Sequence, residues 1–107
     1  MNIEGFEKEI GINYSDKVLL EKALTHTSYA YEHKIQSNEK LEYLGDAILE
    51  YVISEYLYNN YENLSEGEMT KVRAAVVCED SLYKIAKKHN FSDFLNLGRS
   101  ELASRNR

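Results

Sequence analysis

Apolar residues recur along the chain at helical spacing, with short polar breaks between the runs. Ile3, Phe6 and Ile10, closed by Gly11, predict a helix over residues 3–11 with a glycine stop. Ser15 or Asp16 can cap a second helix through Val18, Leu19, Leu20, Ala23 and Leu24, which leads into the run from Thr25 to Tyr31. Residues 32–37 are polar, and a long helix follows from a cap at Ser37 or Asn38 as far as Tyr58. Ser65 and Glu68 have the spacing of a capping box, ahead of a helical stripe at Met69, Val72, Val76 and Val77. Glu79-Asp80-Ser81 opens another helix through Leu82, Ile85 and Ala86, with Asn90 as its stop. Phe91, Phe94, Leu95 and Leu97 form a short apolar connector ending in Gly98. From Arg99 to Arg107 the chain is polar and shows neither cap nor periodicity. The pattern predicts an all-α fold of five or so helices with no convincing strand.

The long helix carries the unusual chemistry. On a helical wheel Leu41, Leu44, Ile48, Val52 and Tyr56 form one apolar stripe, and the opposite flank holds Glu39, Glu42 and Asp46. One or two turns later that flank changes to Leu49, Ile53 and Leu57. The second half is then apolar almost all round, as in a helix at the centre of a domain, with the acids at its rim. Glu42 and Asp46 project from one face, and such a like-charge pair costs a helix roughly 0.2–0.5 kcal/mol. Gly45 between them costs about another 0.8–1 kcal/mol relative to alanine. Local rules broken together mark a candidate functional site, although a solvated acidic first turn favoured by the helix dipole has the same spacing.

Composition narrows the choices. The chain has 107 residues, enough for one domain with one modest core, and contains no proline. A net charge of −5 argues against a basic nucleic-acid-binding surface, unless bound divalent cations bring the missing positive charge. Cys78 is the only cysteine, which excludes an intrachain disulfide and fits a reducing, cytoplasmic compartment. No signal peptide or apolar run of membrane-spanning length is present, so no membrane partner is expected.

Two carboxylates one turn apart suit a hard cation such as Mg²⁺, whereas no cysteine pair or His-x-x-x-His spacing suggests zinc. No nucleophile elbow or phosphate loop competes, leaving metal-assisted hydrolysis as the reaction class. His26 reads as a hydrogen-bonded packing residue, and Lys71 and Arg73 as a solvated helix flank.

Asn38-Glu39-Lys40-Leu41-Glu42-Tyr43-Leu44-Gly45-Asp46-Ala47 closely resembles the signature of the ribonuclease III family of double-stranded-RNA endonucleases. His26-Thr27-Ser28-Tyr29-Ala30, the run from Leu64 to Ala74, and Leu97-Gly98 with Arg105-Asn106-Arg107 resemble further family elements in the same order. Tyr31 and the run from Glu101 to Ser104 depart from the family pattern. The resemblance implies a helical endonuclease domain that works as a homodimer and cuts duplex RNA, as in ribosomal and messenger RNA processing. Its products would carry 5′-phosphates, 3′-hydroxyls and staggered ends. By match, Glu42 is a metal ligand, Asp46 the catalytic metal-binding aspartate, and Glu39 and Glu66 further acids with lesser roles. Tyr43 matches an aromatic that packs across the dimer interface. The implied cofactor is Mg²⁺, or Mn²⁺ in its place.

The resemblance further implies another helix with a second Asp/Glu pair, then a basic RNA-binding domain, neither of which lies in these 107 residues. The chain therefore reads as the N-terminal part of the endonuclease domain, truncated at its C-terminus, and inactive alone. The alternative is a non-catalytic helical scaffold for dimerisation or RNA processing.

Overall fold

Local sequence rules set most helix boundaries in the computed structural model, which describes residues 2–105. Asn106 and Arg107, part of a run compared above, lie outside the described residues. The helices are α1 (Ile3–Ile10), α2 (Lys17–Ala23), α3 (Thr27–His33), α4 (Glu39–Asn60), α5 (Glu66–Val77), α6 (Glu79–Lys88) and α7 (Arg99–Arg105), with a 3-10 turn at Phe91–Phe94. Gly11 ends α1 in the left-handed region (φ 73°), a conformation that costs a side-chain-bearing residue. Of the two candidate caps of α2, Asp16 takes the position and accepts from the Leu19 amide at 2.9 Å. The capping box at Ser65 and Glu68 forms as read, and the Ser65 amide and hydroxyl hold the Glu68 carboxyl below its ordinary range. Asn90 follows α6 at φ 54°, as expected of a helix stop.

Two expectations about elements change. The second helix does not run on into Thr25–Tyr31; it stops at Ala23, and α3 starts afresh at Thr27 with His26 as its cap. His26 Nδ1 accepts from the Ser28 amide, so its packing role is that of a helix cap. The polar stretch after Gly98 is not structureless, since residues 99–105 form α7. Its cap comes from another helix, which no local spacing reveals.

The break between α2 and α3 is the junction of the fold. Thr25 is 2% exposed, and its hydroxyl donates to the Glu21 carbonyl at 2.7 Å. Its carbonyl accepts from the Asn38 amide at 3.0 Å, and Asn38 Nδ2 reaches the Ala23 carbonyl at 3.0 Å. On the other side the segment pairs with Asn96 as an isolated parallel bridge. The Asn96 amide donates to the Leu24 carbonyl at 2.8 Å, and the His26 amide to the Asn96 carbonyl at 3.0 Å. The Leu24 and Thr25 carbonyls and the Thr25 hydroxyl are thus matched, as burial requires.

The apolar core lies beside this junction. Phe6, Leu20 and Leu24 are buried together, with Phe91, Phe94 and Leu95 packed against them. Phe6 meets Phe91 and Phe94 at ring separations of 5.6 and 5.7 Å, within the range of favourable aromatic pairs. α4, α5 and α6 extend from this core as an arm, and the radius of gyration is 16.4 Å. A compact chain of this length would have about 13 Å.

Here the wheel reading of α4 needs correction. Its second half was expected to be buried all round, but only Leu57 is buried. Tyr51, Val52, Tyr56 and Tyr58 are exposed, because α5 covers one side of α4 and no other described element packs closely along it. No described helix is long and apolar enough to cross a membrane.

Glu7 ties α1 to the next turn. It is 5% exposed, accepts from the Tyr14 amide at 2.6 Å and pairs with the Lys17 ammonium. The Lys17 bond, followed by the Tyr14 amide, holds its carboxyl below the ordinary 4.5. A depressed carboxyl stabilises the fold fully above its unfolded value and loses that contribution as pH falls through the folded one. Thermal melts should therefore show stability falling as pH drops below about 4.5. Glu7→Gln should be less stable at neutral pH and lose less on acidification; equal acid sensitivity in both proteins would assign the effect elsewhere.

Candidate metal centre on helix α4

The start of α4 is fixed by the junction. Asn38 occupies the cap position but makes no side-chain cap, because its amide group is spent on Ala23. The Ser37 hydroxyl accepts from the Glu39 amide at 3.3 Å, a weak substitute. The Glu42 amide donates to the Asn38 carbonyl at 2.8 Å, so the acidic turn is continuous with the buried anchor. The sequence offered Ser37 or Asn38 as the cap; each performs part of that role.

Glu42 and Asp46 follow one turn apart, about 6 Å along the axis at 1.5 Å per residue. Both are exposed, and neither carboxylate has a hydrogen-bond or ion-pair partner among the described residues. Exposed bases are not lacking nearby in sequence, with Lys40 two residues before Glu42, yet none neutralises the pair. Two carboxylates on a rigid helix could supply part of a coordination shell for a hard cation. Mg²⁺ is commonly held by one or two carboxylates, with waters and phosphate oxygens completing the shell. The residues present fit that mode, and no group of three or more acidic, histidine or cysteine side chains adds to it among the described residues.

The other candidates stand apart. Glu39 is exposed at the first residue of α4, in a small cleft with Lys22, Gln36, Ser37 and Lys40. Glu66 starts α5 and lines a groove of ≈ 420 Å³ between α4 and α5, with Tyr51, Glu55, Tyr58 and Arg73. From Asp46 to Tyr58 is about 18 Å along the helix, so a single chain does not bring Glu66 to the pair. Tyr43 is 82% exposed, and no described residue covers it.

Arg73 changes category. Lys71 is a solvated base as read, but Arg73 is half-buried and donates to the Ser54 hydroxyl at 2.8 Å, linking α5 to α4. In the same groove the Tyr51 hydroxyl donates to Glu55 at 2.6 Å, which raises its pKa. No sequence spacing signals the Arg73–Ser54 link, which depends on the angle of the α4–α5 hairpin.

Comparison with known proteins bears on this arrangement. A family model described as ribonuclease-III-like matches residues 16–107. The chain is 50% identical to ribonuclease 3 of Oceanobacillus iheyensis over 104 residues, covering 94% of this chain and 46% of that protein. It is 47% identical to ribonuclease 3 of Carboxydothermus hydrogenoformans over 103 residues, covering 94% and 44%. The chain thus spans a little under half the length of these relatives. Among solved structures, the nuclease domain of ribonuclease III from Campylobacter jejuni superposes with a TM-score of 0.89 at 41% identity, covering 98% of this chain and 71% of that one. That structure is described as flexible in a region involved in dimer formation.

Gly45 lies between the acids, and a Cβ built there meets no atom within 4 Å. Nothing among the described residues requires a glycine at this position. Gly45→Ala should stabilise the isolated chain by about 0.8–1 kcal/mol in urea denaturation, the intrinsic helix difference. A loss of stability would mean that an unseen neighbour occupies the space.

Proposed function

The chain belongs to the ribonuclease III family, and from that membership we propose that it forms part of a metal-dependent endonuclease acting on double-stranded RNA. The observation that carries the reading is the Glu42–Asp46 pair. Two unneutralised carboxylates are held one turn apart, against local helix preference, on a helix anchored by buried hydrogen bonds. In this reading Glu42 and Asp46 hold Mg²⁺, or Mn²⁺ in its place. Bound there, the cation would supply Lewis-acid chemistry, lowering the pKa of a water and stabilising charge on the scissile phosphate. The 5′-phosphate and 3′-hydroxyl products belong to the same reading.

The chain's own residues do the positioning. Asn38 fixes the entry of α4, and the α-helix fixes the spacing of the two ligands, so little reorganisation is needed on binding. Because the chain carries a net charge of −5, duplex RNA would be drawn by the cation and by surfaces beyond these residues. Recognition would follow A-form shape, phosphates and 2′-hydroxyls rather than base sequence. Glu39 and Glu66 serve as secondary acids. Among the described residues no group of three or more metal-ligating side chains comes together, so we assign a polypeptide limited to these 107 residues weak metal binding and slow or no cleavage.

Dimerisation is the second part of the proposal. Leu44, Ile48, Val52 and Tyr56 leave an apolar strip exposed along α4, of the kind that marks an association surface, and Tyr43 is exposed on a separate flank of the same helix. A second copy is its occupant in this reading, with Tyr43 at the contact.

Cleavage of a duplex RNA by the full-length protein should fall more than about a hundredfold in Asp46→Ala and Glu42→Gln, since even groups behind the ligands typically cost 10–100-fold. The 107-residue polypeptide should fall at least as far. Retained cleavage in both variants would remove Glu42 and Asp46 from the metal centre, and no cleavage by the unmodified full-length protein would favour the scaffold alternative. Sedimentation should show the full-length protein as a dimer that Tyr43→Asp weakens at least tenfold in Kd; an unaffected dimer would remove Tyr43 from the interface.

A further inference from the structure

α7 is an unlikely helix by its own sequence. Its preceding residue is Gly98, which has no side chain to cap it. Leu102, Ala103 and Ser104 are exposed, so no described residue holds them by apolar burial. Among the described residues α7 packs mainly on α3, some 70 positions earlier in the chain.

The two contacts at its start are specific. The Ser28 hydroxyl accepts from the Gly98 amide at 2.8 Å, and the Glu32 carboxylate accepts from the Arg99 amide at 2.7 Å. Ser28 and Glu32 are four residues apart, hence on one face of α3, and they meet two consecutive amides. These are among the amides a helix start leaves without an internal partner. The carboxylate also faces the positive end of the α7 dipole. Gly98 lies so close that a Cβ there would come within 2.8 Å of the Ser28 backbone carbon and oxygen and still nearer the Glu32 carboxylate. Backbone atoms cannot swing aside, so the approach requires glycine.

We propose that α7 is a separately opening segment, ordered by a cap that Ser28 and Glu32 of α3 supply from a distance, with Gly98 as the residue that permits the approach. Order in α7 is therefore controlled from α3. A ligand that engages the Glu32 carboxylate withdraws one acceptor from α7 and loosens it without disturbing the Phe6–Phe91–Phe94 core. This goes beyond the nuclease reading and does not depend on it.

Hydrogen exchange of the full-length protein, followed by mass spectrometry, tests the proposal. In Ser28→Ala/Glu32→Ala the amides of residues 100–105 should exchange about tenfold faster, the scale of losing a helix cap. Peptides covering α1 and the 3-10 turn should keep their rates. Glu32→Gln, which retains an acceptor oxygen, should recover part of the protection in the Ser28 background. Gly98→Ala should open α7 as the double variant does. Unchanged exchange in α7 would overturn the proposal, and so would an equal rise across α1 and the 3-10 turn.

Discussion

The segment from Ala23 to His26 is the constraint on which the rest depends. It joins the end of α2 to the cap of α3, where backbone groups would otherwise be orphaned, and Leu24 and Thr25 at its centre are buried. Asn38 satisfies it from one side and Asn96 from the other. A buried donor or acceptor left unmade costs about 1–3 kcal/mol, so this double pairing fixes three stretches of chain at once. α4 begins where Asn38 is held, and α7 begins just after Asn96. The acidic turn and the last described helix thus take their positions from one short, unremarkable tetrapeptide.

Much of this fold was legible in the sequence. Helices with an internal signal, such as Gly11 behind α1, Asp16 ahead of α2 and the Ser65–Glu68 box, fall where spacing puts them. The all-α class follows from the same signals. What sequence could not show depends on partners distant in the chain. The stop after Ala23 requires Asn96, and α7 requires Ser28 and Glu32, and neither relation leaves a local pattern. Arg73 reads as a flank residue because only the angle of the α4–α5 hairpin places Ser54 within its reach.

The candidate site was legible in its chemistry and misread in its surroundings. Glu42 and Asp46 stand on one helical face with no base between them, as their spacing implies. The apolar character of the later turns of α4 is also real. It was read as burial within one chain, yet the structure leaves most of it open, with Leu57 alone buried. A helical wheel reports which positions avoid water and is silent about which molecule shields them.

The junction also has a kinetic side. Asn96 and Thr25 are 71 positions apart, and a loop of that size must close before their pairing forms. Loop-closure entropy rises by about 0.6 kcal/mol for each doubling of length, whereas the α4–α5 and α5–α6 hairpins close over short turns. Contacts this distant in sequence tend to form late. During synthesis α1 to α3 leave the ribosome well before Asn96, with the backbone of residues 23–26 still seeking partners in water. The hairpin arm can assemble in the meantime, and the seam at Thr25 closes only after Asn96 has been made.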